Sequence, residues 1–246
     1  MPFDLNMLII AAVIVLVAYL LFALSGFGST LITIPLFAHL YPLTFVLPML
    51  ALLDTAAAMR LGLQSRGHLL RHELAWLLPC MAVGMIAGVA LLVKLPAHLV
   101  LGTLGGLVAA YGLYSLSGRE TGWRLPQRAA VPVGLVGGVL SSLFGVGGPL
   151  YVMYLIARGH NSLQVRSTIT TLLSVTTFTR VVLFALYGLY AQNGILLFAL
   201  ALAPAMLVGL YTGHRLHLNL SKRRLMQSIA VLLIASGASL LVRALA

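Results

Sequence analysis

Charge is scarce in this chain of 246 residues: Asp, Glu, Lys and Arg make up 8% of it, where a soluble domain carries about 25%. Acid is the scarcest of all, with 4 Asp+Glu against 15 Lys+Arg and a formal net charge of +11. Hydrophobic residues make up 61%, so too little polar surface remains to cover a soluble globule. An excess of base can mark a nucleic-acid binder, but that needs a soluble basic face. Here most of the bases stand singly between apolar runs. No nucleic-acid partner is expected, and the excess reads as the positive-inside rule of a membrane protein. One cysteine, Cys80, excludes an intramolecular disulfide and a zinc site built of cysteines. It sits in an apolar span, where a lone thiol behaves as a small hydrophobe. The start, Met1-Pro2-Phe3-Asp4, has no basic n-region, so no cleavable signal peptide is expected.

Long apolar runs are what the chain has. A span needs roughly 20 apolar residues. Stretches 5–24, 74–93, 99–116, 195–213 and 225–242 qualify directly. Stretch 43–63 carries Asp54 and Arg60, and 131–158 is broken by Gly145, Gly147, Gly148 and Pro149. The expected fold class is all-α, a polytopic integral membrane protein in a lipid bilayer.

The two halves resemble each other. Pro79, Gly84, Gly88, Pro96 and Gly112 face Pro204, Gly209, Gly213, Ser221 and Gly237, each 125 residues on. Gly26-Phe27-Gly28 faces Gly145-Val146-Gly147 at an offset of 119, and Leu43 and Arg60 face Leu163 and Arg180 at 120. Loop charge gives the hand of the repeat. The turn at Tyr41-Pro42 has no base, while its counterpart has Arg158 and Arg166. The loop at 62–72 has Arg66 and Arg71, while its counterpart at 188–194 has none. The loop at Lys94 has one base, while its counterpart has Arg215, Lys222, Arg223 and Arg224. The basic side alternates, so the repeats are expected to be inverted, with both termini outside. The organisation is a first membrane repeat at 1–117, a cytoplasmic linker at 118–128 and a second repeat at 129–246. Ten helical pieces are expected: 5–24, 28–37, 43–66, 73–93 and 98–117, then 129–143, 149–158, 163–187, 194–213 and 224–244. The pieces 28–37 and 149–158 are too short to span, which leaves about eight full spans. Arg243, close to an outer terminus, runs against the charge rule.

Each half has a Gly-rich break before a short helix. The first is Ser25-Gly26-Phe27-Gly28-Ser29-Thr30. The second is Phe144-Gly145-Val146-Gly147-Gly148-Pro149. Broken backbone in a bilayer is tolerated where it is buried in protein or lines a cavity. The free N–H groups of a helix start favour an anion. Paired breaks in inverted halves point to a transporter's central site. The competing reading is that these glycines only allow helices to pack closely. Neither motif ends in the Lys-Ser/Thr of a nucleotide-binding loop.

Ser167, Thr170, Thr171, Ser174 and Thr177 recur on one helix face. Such a stripe either bonds a neighbouring helix or lines a wet path. Arg180 lies on its flank, about 100° from the centre, and a guanidinium binds an oxyanion bidentately. Arg60 either joins it or snorkels to the inner surface. Asp54 is the one acid deep in a span. It either takes a proton and couples transport, or forms a fixed ion pair with Arg60 or Arg180. His214-x-x-His217 is read as interfacial, and nothing in the chain calls for a metal or a cofactor. Ser141 and Ser142 have no histidine deep in a span to activate them, and there is no second deep aspartate, so no enzyme is expected.

At these motifs the chain resembles the sulfite exporter TauE/SafE family, also called the toluenesulfonate uptake permease family. The second half carries the resemblance best, in Phe144 to Pro149 and then Asn161 to Ser167 with its Thr/Ser-rich helix. The first half departs from it, with Ser29-Thr30 and Leu47-Pro48-Met49 where the family has smaller runs. The resemblance implies a secondary transporter of the bacterial inner membrane for sulfite, sulfonates or related anions. Spacing alone reaches an anion and does not reach sulfur. The expected site holds a small anionic substrate between Gly26, Gly28, Ser29, Thr30 and Gly145, Gly147, Gly148, Pro149. Thr171, Ser174 and Thr177 supply hydroxyls, Arg180 and Arg60 supply charge, and Asp54 couples a proton. The leading expectation is an exporter. The alternatives left open are a channel or an uptake permease for another small organic or inorganic anion, and a homo-oligomer.

Overall fold

The computed structural model describes residues 5–25, 29–62, 69–117, 124–191, 194–215 and 222–245. Gly26 and Gly28 lie outside the described residues, as do His217 and the Arg60 side chain. The first half forms α1 (Leu5–Ser25), α2 (Ser29–Ala38), α3 (Leu43–Gly62), α4 (Arg71–Lys94) and α5 (Ala97–Ser117). The second forms α6 (Ala130–Phe144), α7 (Gly148–Ala157), α8 (Ser162–Leu186), α9 (Ile195–Arg215) and α10 (Lys222–Leu245). No strand occurs among the described residues. The ten expected pieces are all there, with ends close to those expected. The expected end of the third, at 66, lies outside the described residues.

Among the described residues, six spans are long and apolar enough to cross a membrane by length and composition. Two further helices, α3 and α10, have spanning length, at 20 and 24 residues. The half-helices α2 and α7 have 10 residues each, about 15 Å, half of a bilayer core. Apolar side chains face outward, as lipid requires: Ile9, Ile10, Val13 and Val17 on α1, and Leu196, Leu197, Leu200 and Leu207 on α9.

The pairing of helices follows the repeat. In the first-to-second-half mapping α1 becomes α6 and α4 becomes α9. The packed pairs α1–α9 and α4–α6 are therefore the same pair seen twice, while α3–α8 and α5–α10 map onto themselves. Close approach at glycine fixes their directions. A methyl on Gly209 would lie 2.5 Å from the Leu16 carbonyl, and one on Gly213 2.6 Å from that of Leu20. The α1–α9 pair is thus parallel. Likewise Gly134 meets Leu77 and Cys80, while Gly88 meets Val139 and Ser142, so α4–α6 is parallel too. In α5–α10, Gly102 faces Ala244, Gly105 faces Gly237 and Gly112 faces Ile234, which is antiparallel. A helix antiparallel to its own repeat mate means an inverted repeat. For Gly84, Gly88, Gly209, Gly213 and Gly237, close packing is the reason for glycine.

Helix directions place Arg71, Arg124, Arg128, Arg158, Arg166 and Arg215 at one end of the bundle. That end faces the cytoplasm by the positive-inside rule. At the other end, the Arg243 guanidinium donates to the Ala38 carbonyl at the C-terminus of α2. A cation there satisfies an orphan carbonyl and suits the helix dipole. That is why this arginine breaks the charge rule.

Candidate functional site

The two breaks meet inside the bundle. After Phe144 the chain turns left-handed at Gly145, φ 66°, whose amide donates to the Ser141 carbonyl at 2.8 Å. That conformation ends α6 cleanly and favours glycine. Then α7 starts at Gly148, with Pro149 in its first turn, and runs to the cytoplasmic end. From the other repeat, α2 starts at Ser29 and runs to the outer end. Thr30 Oγ1 donates to the Gly145 carbonyl at 2.7 Å, tying one helix start to the other break. A side chain at Gly145 would collide with this arrangement: its Cβ would lie 2.8 Å from Thr30 Cγ2 and 2.9 Å from Arg180 Nη1.

Spans α3 and α8 bring an ion pair to the same place. Asp54 and Arg180 are 6% and 1% exposed. Asp54 Oδ1 accepts from Tyr19 Oη at 2.7 Å and from Ser29 Oγ at 3.0 Å. Arg180 Nη1 stands 3.6 Å from Asp54 Oδ2, and the guanidinium carbon lies 5.7 Å from the centre of the Phe184 ring. Arg180 Nε and Nη2 are buried with no hydrogen-bond partner among the described residues. A buried donor left unmade costs about 1–3 kcal/mol, more for a charged group. These two donors are therefore the strongest local demand for an acceptor.

The acceptor has room. A cavity of about 40 Å³ is lined by Ser29, Thr30, Asp54, Ser141, Gly145, Gly148, Pro149, Thr176, Thr177 and Arg180. Phe22, Leu31, Ala58, Val146 and Leu173 supply its apolar wall. A water needs roughly 10–15 Å³ on this measure, so the space holds about three waters or one small oxyanion. It extends toward the cytoplasmic end. Ala58 lies about 6 Å beyond Asp54, and Leu173 about 10 Å from Arg180 in the same direction, by helical rise.

The structure brings together Ser29, Thr30, Gly145, Gly148, Pro149, Thr177, Arg180 and Asp54 from the expected set. It places Thr171 and Ser174 off the lining; their hydroxyls, like those of Thr176 and Thr177, donate back to carbonyls of their own helix. Gly147 also lies off it; a Cβ there would run into the Gly137 carbonyl and Ser141 Oγ, so its glycine serves packing. Arg60 contributes no described contact, its side chain lying outside the described residues. Thr176, Tyr19 and Ser141 were not expected. Thr176 had a signal: Leu173, Thr176, Thr177 and Arg180 stand at i, i+3, i+4, i+7, a helix face centred on the buried charge. The hydroxyl stripe, centred on Ser174, is turned away from it. Tyr19 had none, being one aromatic in an unbroken apolar helix. No group of three metal-binding side chains occurs among the described residues.

Residues 10–240 match the family described as sulfite exporter TauE/SafE. The chain is 30% identical over 192 residues to a protein of Comamonas testosteroni named as a probable inner membrane transporter protein TsaS, covering 77% of this chain and 80% of that one. No solved structure matches the chain.

Proposed function

The chain belongs to the sulfite exporter TauE/SafE family and is a multi-pass inner-membrane transporter, and from that premise we propose that it carries a small oxyanion, together with a proton, through the cavity between α2 and α7. The observation that supports this reading best is the pair of unpartnered donors on Arg180. Nε and Nη2 form one edge of a planar fork, the geometry that matches two oxygens of a sulfur, carboxyl or phosphoryl group. The start of α2, with Ser29 and Thr30 on the cavity lining, adds a favourable dipole. Pro149 removes one donor from α7, so α2 contributes more. The cavity's size favours sulfite or a short alkylsulfonate over an aromatic sulfonate in this conformation.

Charge balance gives the proton its role. Arg180 and ionised Asp54 together are neutral. A monoanion added to them leaves one uncompensated negative charge in a buried site, which is expensive. A proton on Asp54 restores neutrality and frees Arg180 for the anion. Anion and proton then travel as one neutral unit. Export, the leading expectation, needs an anion gradient steeper than the opposing proton gradient. Uptake is the second reading, and the neutrality of the Asp54–Arg180 pair favours it, because an inward proton gradient draws the anion in.

Proteoliposomes test this. With a proton gradient imposed in either orientation, sulfite or methanesulfonate should accumulate on the side the protons enter. Asp54→Asn keeps an oxygen for Tyr19 and Ser29 but cannot take the proton. Its flux should lose its response to the proton gradient. Unchanged gradient-driven accumulation in Asp54→Asn would remove Asp54 from coupling.

A further inference from the structure

Each repeat sends a half-helix and the span after it to the cavity: α2–α3 from the first and α7–α8 from the second. At its turn, each of these hairpins is tied to a helix of the other repeat that contributes nothing to the lining. At the cytoplasmic end the partner is α4. Glu73, 2% exposed, accepts from Tyr154 Oη at 2.7 Å and from Arg158 Nε at 2.9 Å. His160 Nε2 lies 3.0 Å from the same carboxylate. Arg158 also donates to the Leu125 carbonyl at 3.3 Å. At the outer end the partner is α9. Tyr41 meets Phe198 edge to face, with centroids 5.4 Å apart, and Phe45 lies 5.6 and 5.8 Å from the two.

These two ties occupy the same place in the inverted repeats. Phe198 follows Glu73 by 125 residues, the offset that relates Pro79 to Pro204. His160 follows Tyr41 by 119, the offset that relates Gly26 to Gly145. One position therefore carries an ionic tie at the cytoplasmic face and an aromatic tie at the outer face. Both are formed here, around a cavity of about 40 Å³. A carrier that opens to one side at a time has to release one tie and keep the other.

The geometry points to Glu73 as a positioning residue for alternating access: its contacts with Arg158 and His160 hold the cytoplasmic face shut, and the Tyr41–Phe198 contact holds the outer face shut. The chemistry suits each face. A buried carboxylate cannot be left dry and unpaired, so the ionic tie parts only when cytoplasmic water enters to solvate it. The aromatic tie costs apolar surface when it parts and resists wetting from outside. The inference needs a carrier but not an oxyanion cargo, so it stands or fails apart from the flux measurements above.

Sided thiol labelling tests it without substrate. With Cys80→Ala as background, a cysteine at Ala58 lines the cavity. Its reaction with an impermeant maleimide is timed in vesicles of each orientation. Glu73→Gln should raise the rate from the cytoplasmic face about tenfold, the loss of a charge-assisted hydrogen bond, and leave the outer rate unchanged. Phe198→Ala should raise the outer rate alone. Arg158→Gln removes the guanidinium from the same tie, at a more exposed side chain, so it carries the test if Glu73→Gln fails to insert. An unchanged cytoplasmic rate in either folded variant overturns the proposal. So does an equal rise at both faces, which is what mere structural bracing predicts.

Discussion

Arg180→Gln should unfold more readily than the parent and should carry no anion, and adding Asp54→Asn should restore the stability but not the transport. The two effects have different causes. Removing one partner of a buried ion pair strands the other, which costs about 3–5 kcal/mol. Asp54 keeps its bonds from Tyr19 and Ser29, which puts the loss nearer the low end of that range. The double variant has no stranded charge, so its melting temperature in detergent should return most of the way. On the proposed reading, transport depends on something else, the two donors at Nε and Nη2 that have no hydrogen-bond partner among the described residues. Two charge-assisted hydrogen bonds are worth about 1.5–3 kcal/mol each, a loss of roughly 10²–10⁴ in affinity. Arg180→Lys keeps the charge but not the fork, so it should recover stability better than flux. A double variant that is folded and transports at the parental rate would reduce Arg180 to a structural ion pair.

Gly145→Ala is the second large effect, and its cause is steric. A left-handed φ costs a residue with a side chain about 1–2 kcal/mol, and the methyl would press on Thr30 Cγ2 and Arg180 Nη1. Overpacking adds about 1–3 kcal/mol. The displaced groups are the two that join the breaks and face the cavity, so flux should fall further than stability. Thr30→Ser in the same chain removes the colliding methyl while leaving the hydroxyl that bonds the Gly145 carbonyl. Gly145→Ala with Thr30→Ser should therefore regain part of the flux. Equal flux in the single and double variants would separate Thr30 from the defect.

Much of the architecture was legible because its signals are one-dimensional. Apolar run length gave the spans, loop charge gave their alternation, and glycine and proline spacing gave the repeat. The half-helices followed from length alone. The site was legible where chemistry is rare in a span: a deep Asp54, a deep Arg180 and two glycine blocks. It was obscured where polar residues do local work. Thr171 and Ser174 bond back to their own helix as the lining residues Thr176 and Thr177 do, so the hydroxyls alone do not mark the lining. The face had to be centred on the charge and not on the hydroxyls. The glycines divide the same way. Gly145 serves the site through its φ and its contact with Thr30, while Gly147 is needed because Ser141 and the Gly137 carbonyl lie against it. Tyr19 reaches Asp54 across 35 residues of chain, a contact that depends on the α1–α3 arrangement.

Calorimetric titration of sulfite into the purified protein tests the cavity as an oxyanion site most directly. The parent should bind, and the folded Arg180→Gln/Asp54→Asn variant should show no heat over the same range. Equal binding by parent and variant would contradict the assignment and place the anion elsewhere in the molecule.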